Sequence, residues 1–282
     1  MARRLSLGWL KPPKVPADGV MALGDHLREL RYRVVFSVIV VVAGMIGCAF
    51  FYERIMEIML QPWRTALALL EVNSPGLSVQ AVLSGVTSPI ILVLQVIALS
   101  GVVLTSPLWL YQVWAYIRPA LLVKEKRYAF AFLAVAVPLF LAGVAMGYFV
   151  LPQATAIMVG FTPQQIPIDN LVPVDSFLGL MMQLMIVFGI GFLLPVVVVA
   201  LNLVGVISGK TLKKARGGVV FGCFVFAAAA TPGGDPFSMV ALAVPMMLLF
   251  FMAEGVCHLN DARRVKKLKA MGLYVEPVEL TP

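Results

Sequence analysis

Two acids stand out against basic surroundings. Glu29 lies in His26-Leu27-Arg28-Glu29-Leu30-Arg31-Tyr32-Arg33, and Glu125 is flanked by Lys124, Lys126 and Arg127. A carboxylate at a partly desolvated interface can grip a basic ligand, and arginine suits it best because the planar guanidinium offers a two-pronged fork of donors. Each acid also has a plain explanation. Glu29 and Arg33 form a favourable i,i+4 pair, and Glu125 relieves repulsion among its cationic neighbours. Composition alone favours the plain explanations, because charges flanking apolar segments are usually solvated.

Other chemistries find little support. Cys48, Cys223 and Cys257 sit inside apolar runs without a CxxC pattern, so they read as small buried hydrophobes. His26 and His258 are far apart and have no ligand-like spacing around them, so no metal site is expected. Gly205-Val-Ile-Ser-Gly209-Lys210-Thr211 has three residues between its glycines where a Walker A loop needs four, and it reads as an inter-helix turn. No nucleophile–base set is evident, so neither an enzyme nor a cofactor is expected. The +8 net charge does not imply nucleic acid, because its placement follows the membrane instead.

The elements that must position these groups are membrane spans. Of 282 residues, 61% are hydrophobic and 13% charged, against about 25% charged in a soluble domain. The mean hydropathy is +0.95. A globule of this size cannot hide so much apolar surface from water, so the solvent must be lipid. Apolar runs occur at Val34–Tyr52, then at roughly 89–111, 128–151, 177–207, 218–230 and 237–257. The fifth is short but tolerable by local thinning or packing. With six spans, only Arg54 and Arg64 of the 22 basic residues face the outer side, as positive-inside insertion requires. Both termini are then cytoplasmic. The expected organisation is a basic N-terminal segment (1–24), a six-helix membrane domain (25–259) and a basic, solvated tail (260–282).

Within the spans, Pro107, Pro138, Pro195 and Pro245 can each kink or break a helix. Gly143/Gly147 and Gly218/Gly222 have small-xxx-small spacing, read first as internal packing and second as an oligomer interface. The outer loops, about 53–88 and 152–176, can hold short interfacial helices. No carboxylate or basic residue falls at the bilayer midplane, where ion-coupled transporters usually keep one. Glu254 lies near the cytoplasmic end of span six and Asp235 in the outer 5–6 turn, while Gln95 and Gln183 are the most polar groups well inside spans.

From residue 25 to 258 the chain resembles TatC, the multi-spanning receptor family of the twin-arginine protein translocase. The motifs are HLRELRYR (26–33), SPLWLYQVWAYIRPAL (106–121) with KEKR (124–127), GYFVLP (147–152), TPGGDPFS (231–238) and ALAVP (241–245). The resemblance implies an all-α, cup-shaped bundle of six transmembrane helices in the bacterial cytoplasmic membrane. It implies a receptor for twin-arginine signal peptides of folded proteins, driven by the proton-motive force. The implied partners are small single-span subunits (TatA, and TatB where present), membrane lipid and further copies of the chain. By position in the matching motifs, Glu29, Arg31, Tyr116 and Glu125 contact the signal, with Pro107 and Gln112 as supports. Asp235 and Glu254 are implied as partner contacts or structural groups.

The chain also departs from the family pattern. Leu193 stands in Phe192-Leu193-Leu194-Pro195 where many relatives carry a glutamate, and Gln183, roughly 15 Å away along a helix, is no simple substitute. Met239 replaces a common glutamine, and TPGGD has one more residue than the common TPxD. Phe251 aligns with a glutamate of some relatives, and Glu254 shares its helix face as a stand-in. The competing reading is a small-solute or lipid transporter, which predicts a midplane site and internal repeats. Neither is evident.

Overall fold

Inside a bilayer every backbone N–H and C=O needs a partner from the protein itself, so long apolar runs fold as helices. The computed structural model describes residues 23–117, 126–163, 169–231 and 235–272. Its elements are α1 (Leu23–Ala49), α2 (Tyr52–Asn73), β1 (Val79–Val82), α3 (Ser88–Leu104), α4 (Ser106–Ile117), α5 (Lys126–Gly160), β2 (Asn170–Pro173), α6 (Val174–Val204), α7 (Gly209–Lys214), α8 (Arg216–Ala230) and α9 (Pro236–Ala270). The chain is an all-α polytopic membrane protein. Helices within α1, α5, α6 and α9 are each long and apolar enough to cross a bilayer.

The apolar run at 89–111 is not one straight helix. It breaks between α3 and α4, which meet at a 57° bend. Pro107, in the first turn of α4, has no N–H to continue the α3 ladder. Carbonyls beside the break gain side-chain donors. The Thr105 hydroxyl donates to the Gly101 carbonyl at 2.7 Å, and the Trp109 indole N–H donates to the Val102 carbonyl at 3.0 Å. The Gly101 carbonyl also keeps its ladder bond from the Thr105 N–H at 3.1 Å, so side chains supplement the backbone where the helix turns. Against it, α1 crosses closely: a methyl on Gly44 would stand 2.5 Å from Thr105 Cγ2, and one on Gly101 would stand 2.6 Å from Met45 Cγ.

The centre of the core is the α5–α6 pair. Phe140, Leu151, Leu178, Met181, Leu184 and Phe188 are buried there. Gly143 and Gly147 let the two backbones touch, since an added Cβ would lie 2.4 Å from the Phe188 carbonyl oxygen and 2.9 Å from Met185 Cα. Their spacing thus serves internal packing. The Gly218/Gly222 pair differs, because an added Cβ at either position meets nothing within 4 Å. Helix α8 has 15 residues, about 22 Å of rise, against a hydrocarbon core of about 30 Å.

One feature meets the expectation of a helix in the 53–88 connection, and a second goes beyond the sequence reading. The segment after α1 forms the 22-residue helix α2, which accepts a 2.7 Å hydrogen bond from Tyr148 of α5 at the Ile58 carbonyl. Strands β1 and β2 pair in parallel with Val79 opposite Asn170, stitching the α2–α3 and α5–α6 connections together. At the basic end, Gly205 takes the left-handed φ of +87° that closes α6. Ser208 then caps α7 through the Thr211 N–H. The Gly205–Thr211 stretch is the inter-helix turn expected.

Helix α9 does not stop where the sequence places the start of a solvated tail. It runs 35 residues to Ala270. Asp261 holds it, accepting from the Gly209 N–H at 2.6 Å and from Asn202 Nδ2 at 2.9 Å, while Asn260 donates to Asn202 Oδ1 at 3.0 Å. A polar clasp between α6, α7 and α9 thus carries the helix onward past its apolar stretch.

Candidate functional site

The first turns of α1 place His26, Glu29 and Arg33 at i, i+3 and i+7, on one helix face. On α4, Gln112 and Tyr116 are one turn apart and face them. The Arg33 guanidinium donates through Nε to Glu29 Oε1 at 2.9 Å, and Nη2 reaches the same oxygen. Its Nη1 donates to Gln112 Oε1 at 3.1 Å. One turn away, the rings of Tyr116 and His26 stack with centroids 4.5 Å apart and planes 15° apart. The bend at Pro107 turns α4 against α1 and so makes this pairing possible.

Glu29 is 2% exposed, so it is no solvated surface charge. Both bonds from Arg33 fall on Oε1. Its other oxygen, Oε2, is buried with no hydrogen-bond partner among the described residues. An ionised carboxylate with one oxygen committed and one idle is under-satisfied, and such a group gains strongly from a further donor. The plain explanation of Glu29, a pair with Arg33, is therefore correct and incomplete. Arg31 is exposed and points away from this cluster by the helical repeat. Glu125 lies outside the described residues, so its placement relative to Glu29 is not part of the geometry.

Glu254 presents the opposite case. It too is 2% exposed, but both its oxygens are occupied. Arg216, at the start of α8, donates from Nε to Oε2 at 2.7 Å and from Nη2 to Oε1 at 2.8 Å. His258 Nε2 adds a contact of 3.4 Å to Oε1. The carboxylate closes α8 onto α9. Phe251, three residues earlier, is 39% exposed, so the two positions do not present equivalent surfaces despite their spacing. Asp235 caps α9, accepting from the Ser238 N–H at 2.7 Å. Leu193 packs against the core clusters.

Sequence reasoning weighed His26 only as a metal ligand and missed its stacking role. Its i, i+3, i+7 relation to Glu29 and Arg33 was the available signal. The partnership of Arg216 with Glu254, 38 residues apart, carries no local signal at all. Among the described residues no three His, Cys, Asp or Glu side chains gather as a metal site would require.

Fold and site together define a polytopic helical membrane protein in which two buried carboxylates, Glu29 near the start of α1 and Glu254 at the middle of α9, are each paired with an arginine. The sequence model of the Sec-independent protein translocase protein (TatC) family matches residues 25–245. The chain belongs to the TatC family. The Rothia mucilaginosa (strain DY-18) Sec-independent protein translocase protein TatC is 35% identical, over 90% of this chain and 85% of that protein. The Aquifex aeolicus (strain VF5) protein of the same name is 32% identical, over 89% of this chain and 100% of its own length. A crystal structure of the twin-arginine translocase receptor TatC in DDM superposes with a TM-score of 0.68 at 30% identity, covering 82% of this chain and 99% of that one.

Proposed function

We infer that this protein is the receptor subunit of a twin-arginine translocase, with six spans and both termini in the cytoplasm. It binds twin-arginine signal peptides of folded cargo at the α1/α4 end and works with small single-span Tat subunits and the proton-motive force. The observation that carries this reading is the buried Oε2 of Glu29, without a hydrogen-bond partner among the described residues, beside the Arg33–Gln112 pair. A signal arginine brings the donor that oxygen lacks. A lysine brings the charge without the fork. Glu125 takes the second arginine, and Tyr116 packs beside the motif, already held flat by His26. Arg31 contributes from the exposed face of α1. The topology rests on the basic-residue distribution, with the α3–α4 pair as a broken span and α8 as a short one.

The test is binding of the purified, detergent-solubilised protein to a twin-arginine signal peptide and to its twin-lysine variant. Wild type is expected to prefer Arg-Arg, and Glu29→Gln and Glu125→Ala are each expected to weaken that preference. Preference that survives both substitutions moves the site elsewhere. No preference in a folded sample removes the receptor reading.

A further inference from the structure

Between α5, α6 and α9 lies an apolar groove of about 340 Å³, whose walls include Phe132 and Val135 of α5, Val199 and Leu203 of α6, and Met252 and Val256 of α9. No charged side chain is among its lining residues. On α9 the groove wall continues beyond the apolar stretch. Met252, Val256, Asn260, Arg263 and Lys267 follow one another at four- and three-residue steps and so share a helix face. Arg263 and Lys267 are exposed. Beside them, the Arg264 guanidinium lies over the end of α6: its Nη1 is 2.8 Å from where a Cβ on Gly205 would stand, two residues past Leu203. The Asn202–Asp261–Gly209 clasp holds this part of α9 in place as helix. The acids of this stretch, Glu254 and Asp261, are turned to the other side of α9 and spent on Arg216 and on the α6–α7 turn.

We propose that this groove and its cationic rim form a binding site for one anionic phospholipid, with an acyl chain against Val199, Met252 and Val256 and the headgroup phosphate against Arg263, Arg264 and Lys267. The surrounding solvent is already hydrocarbon, so filling the groove with a chain gains little by hydrophobicity alone. Selectivity must come from the headgroup, where each nearby cation favours a negative lipid. The site stands or falls independently of whether Glu29 binds a peptide.

Native mass spectrometry on the full chain, with equal amounts of phosphatidylglycerol and phosphatidylcholine, reads the headgroup preference directly. Wild type is expected to retain phosphatidylglycerol, less so as ionic strength rises. The double variant Arg263→Gln/Lys267→Gln is expected to lose roughly twenty-fivefold of that preference, about fivefold per cation. Arg264 is left in place because it also covers the α6 terminus. Val256→Trp fills the groove and is expected to abolish retention, with Val135→Trp as a second filler from the facing wall. Thermal melting of each variant separates lost binding from lost folding. Equal retention of the two lipids overturns the proposal, as does a preference unchanged in the double variant or lipid retained in both folded fillers. Displacement of the lipid by the apolar stretch of a signal peptide also overturns it and assigns the groove to peptide.

Discussion

The ring of Tyr116 lies flat on the ring of His26, 4.5 Å between centroids, although 90 residues of chain separate them. That contact joins the start of α1 to the end of α4. It exists because Pro107 and Thr105 break the second apolar run and swing α4 against α1. The same swing brings Gln112 to Arg33, and Arg33 in turn occupies one oxygen of Glu29, the other having no donor among the described residues.

Glu29→Gln keeps the shape and removes the charge. A hydrogen bond to a charged group is worth about 1.5–3 kcal/mol, so the Kd for a twin-arginine peptide is expected to rise about ten- to a hundredfold. Fluorescence anisotropy with a labelled peptide measures it. The Kd for the twin-lysine peptide is expected to rise less, so the discrimination between the two narrows.

Arg33→Ala strands a buried carboxylate. Breaking a buried pair costs about 3–5 kcal/mol, and partial exposure of Arg33, 19%, reduces this to about 1–3 kcal/mol. Arg33→Lys is expected to restore part of it, since lysine keeps the charge but lacks the planar fork that spans Glu29 and Gln112. Melting in detergent is the readout. A melting point unchanged in Arg33→Ala would show that the pair contributes nothing.

Arg216 and Glu254 form a double-mutant cycle. Arg216→Met leaves the buried Glu254 with only the 3.4 Å His258 contact and is expected to lower the melting point. Adding Glu254→Leu is expected to recover most of that, because the doubly apolar contact has no stranded charge. Peptide preference is expected to stay at the wild-type level throughout, because both oxygens of Glu254 serve the α8–α9 contact.

Glycine-to-alanine changes distinguish the two small-residue pairs. Gly143→Ala drives a methyl into the Phe188 carbonyl and is expected to cost about 1–3 kcal/mol by overpacking. Gly218→Ala meets open space and is expected to be neutral or to stabilise α8 by up to about 1 kcal/mol. The two melting points should move in opposite directions or differ clearly in size.

The apolar composition alone marks lipid as the solvent of this chain. Apolar runs of span length, with basic residues on alternate connections, set the helices and their order, because hydration and backbone satisfaction act on each run separately. The HLRELRYR and YQVWAYIRPAL segments marked where the candidate site lies, and Gly143/Gly147 marked the closest helix contact. Tertiary structure alone decided how each polar group is used. Glu29 and Glu254 are equally buried, yet among the described residues one has an oxygen without a donor and the other has both oxygens bonded. The bend at Thr105–Pro107, the β1–β2 pairing and the Asp261 clasp on α9 likewise depend on partners distant in the chain. A carboxylate's role is set by how many donors surround it, and local spacing supplies only those within a helical turn.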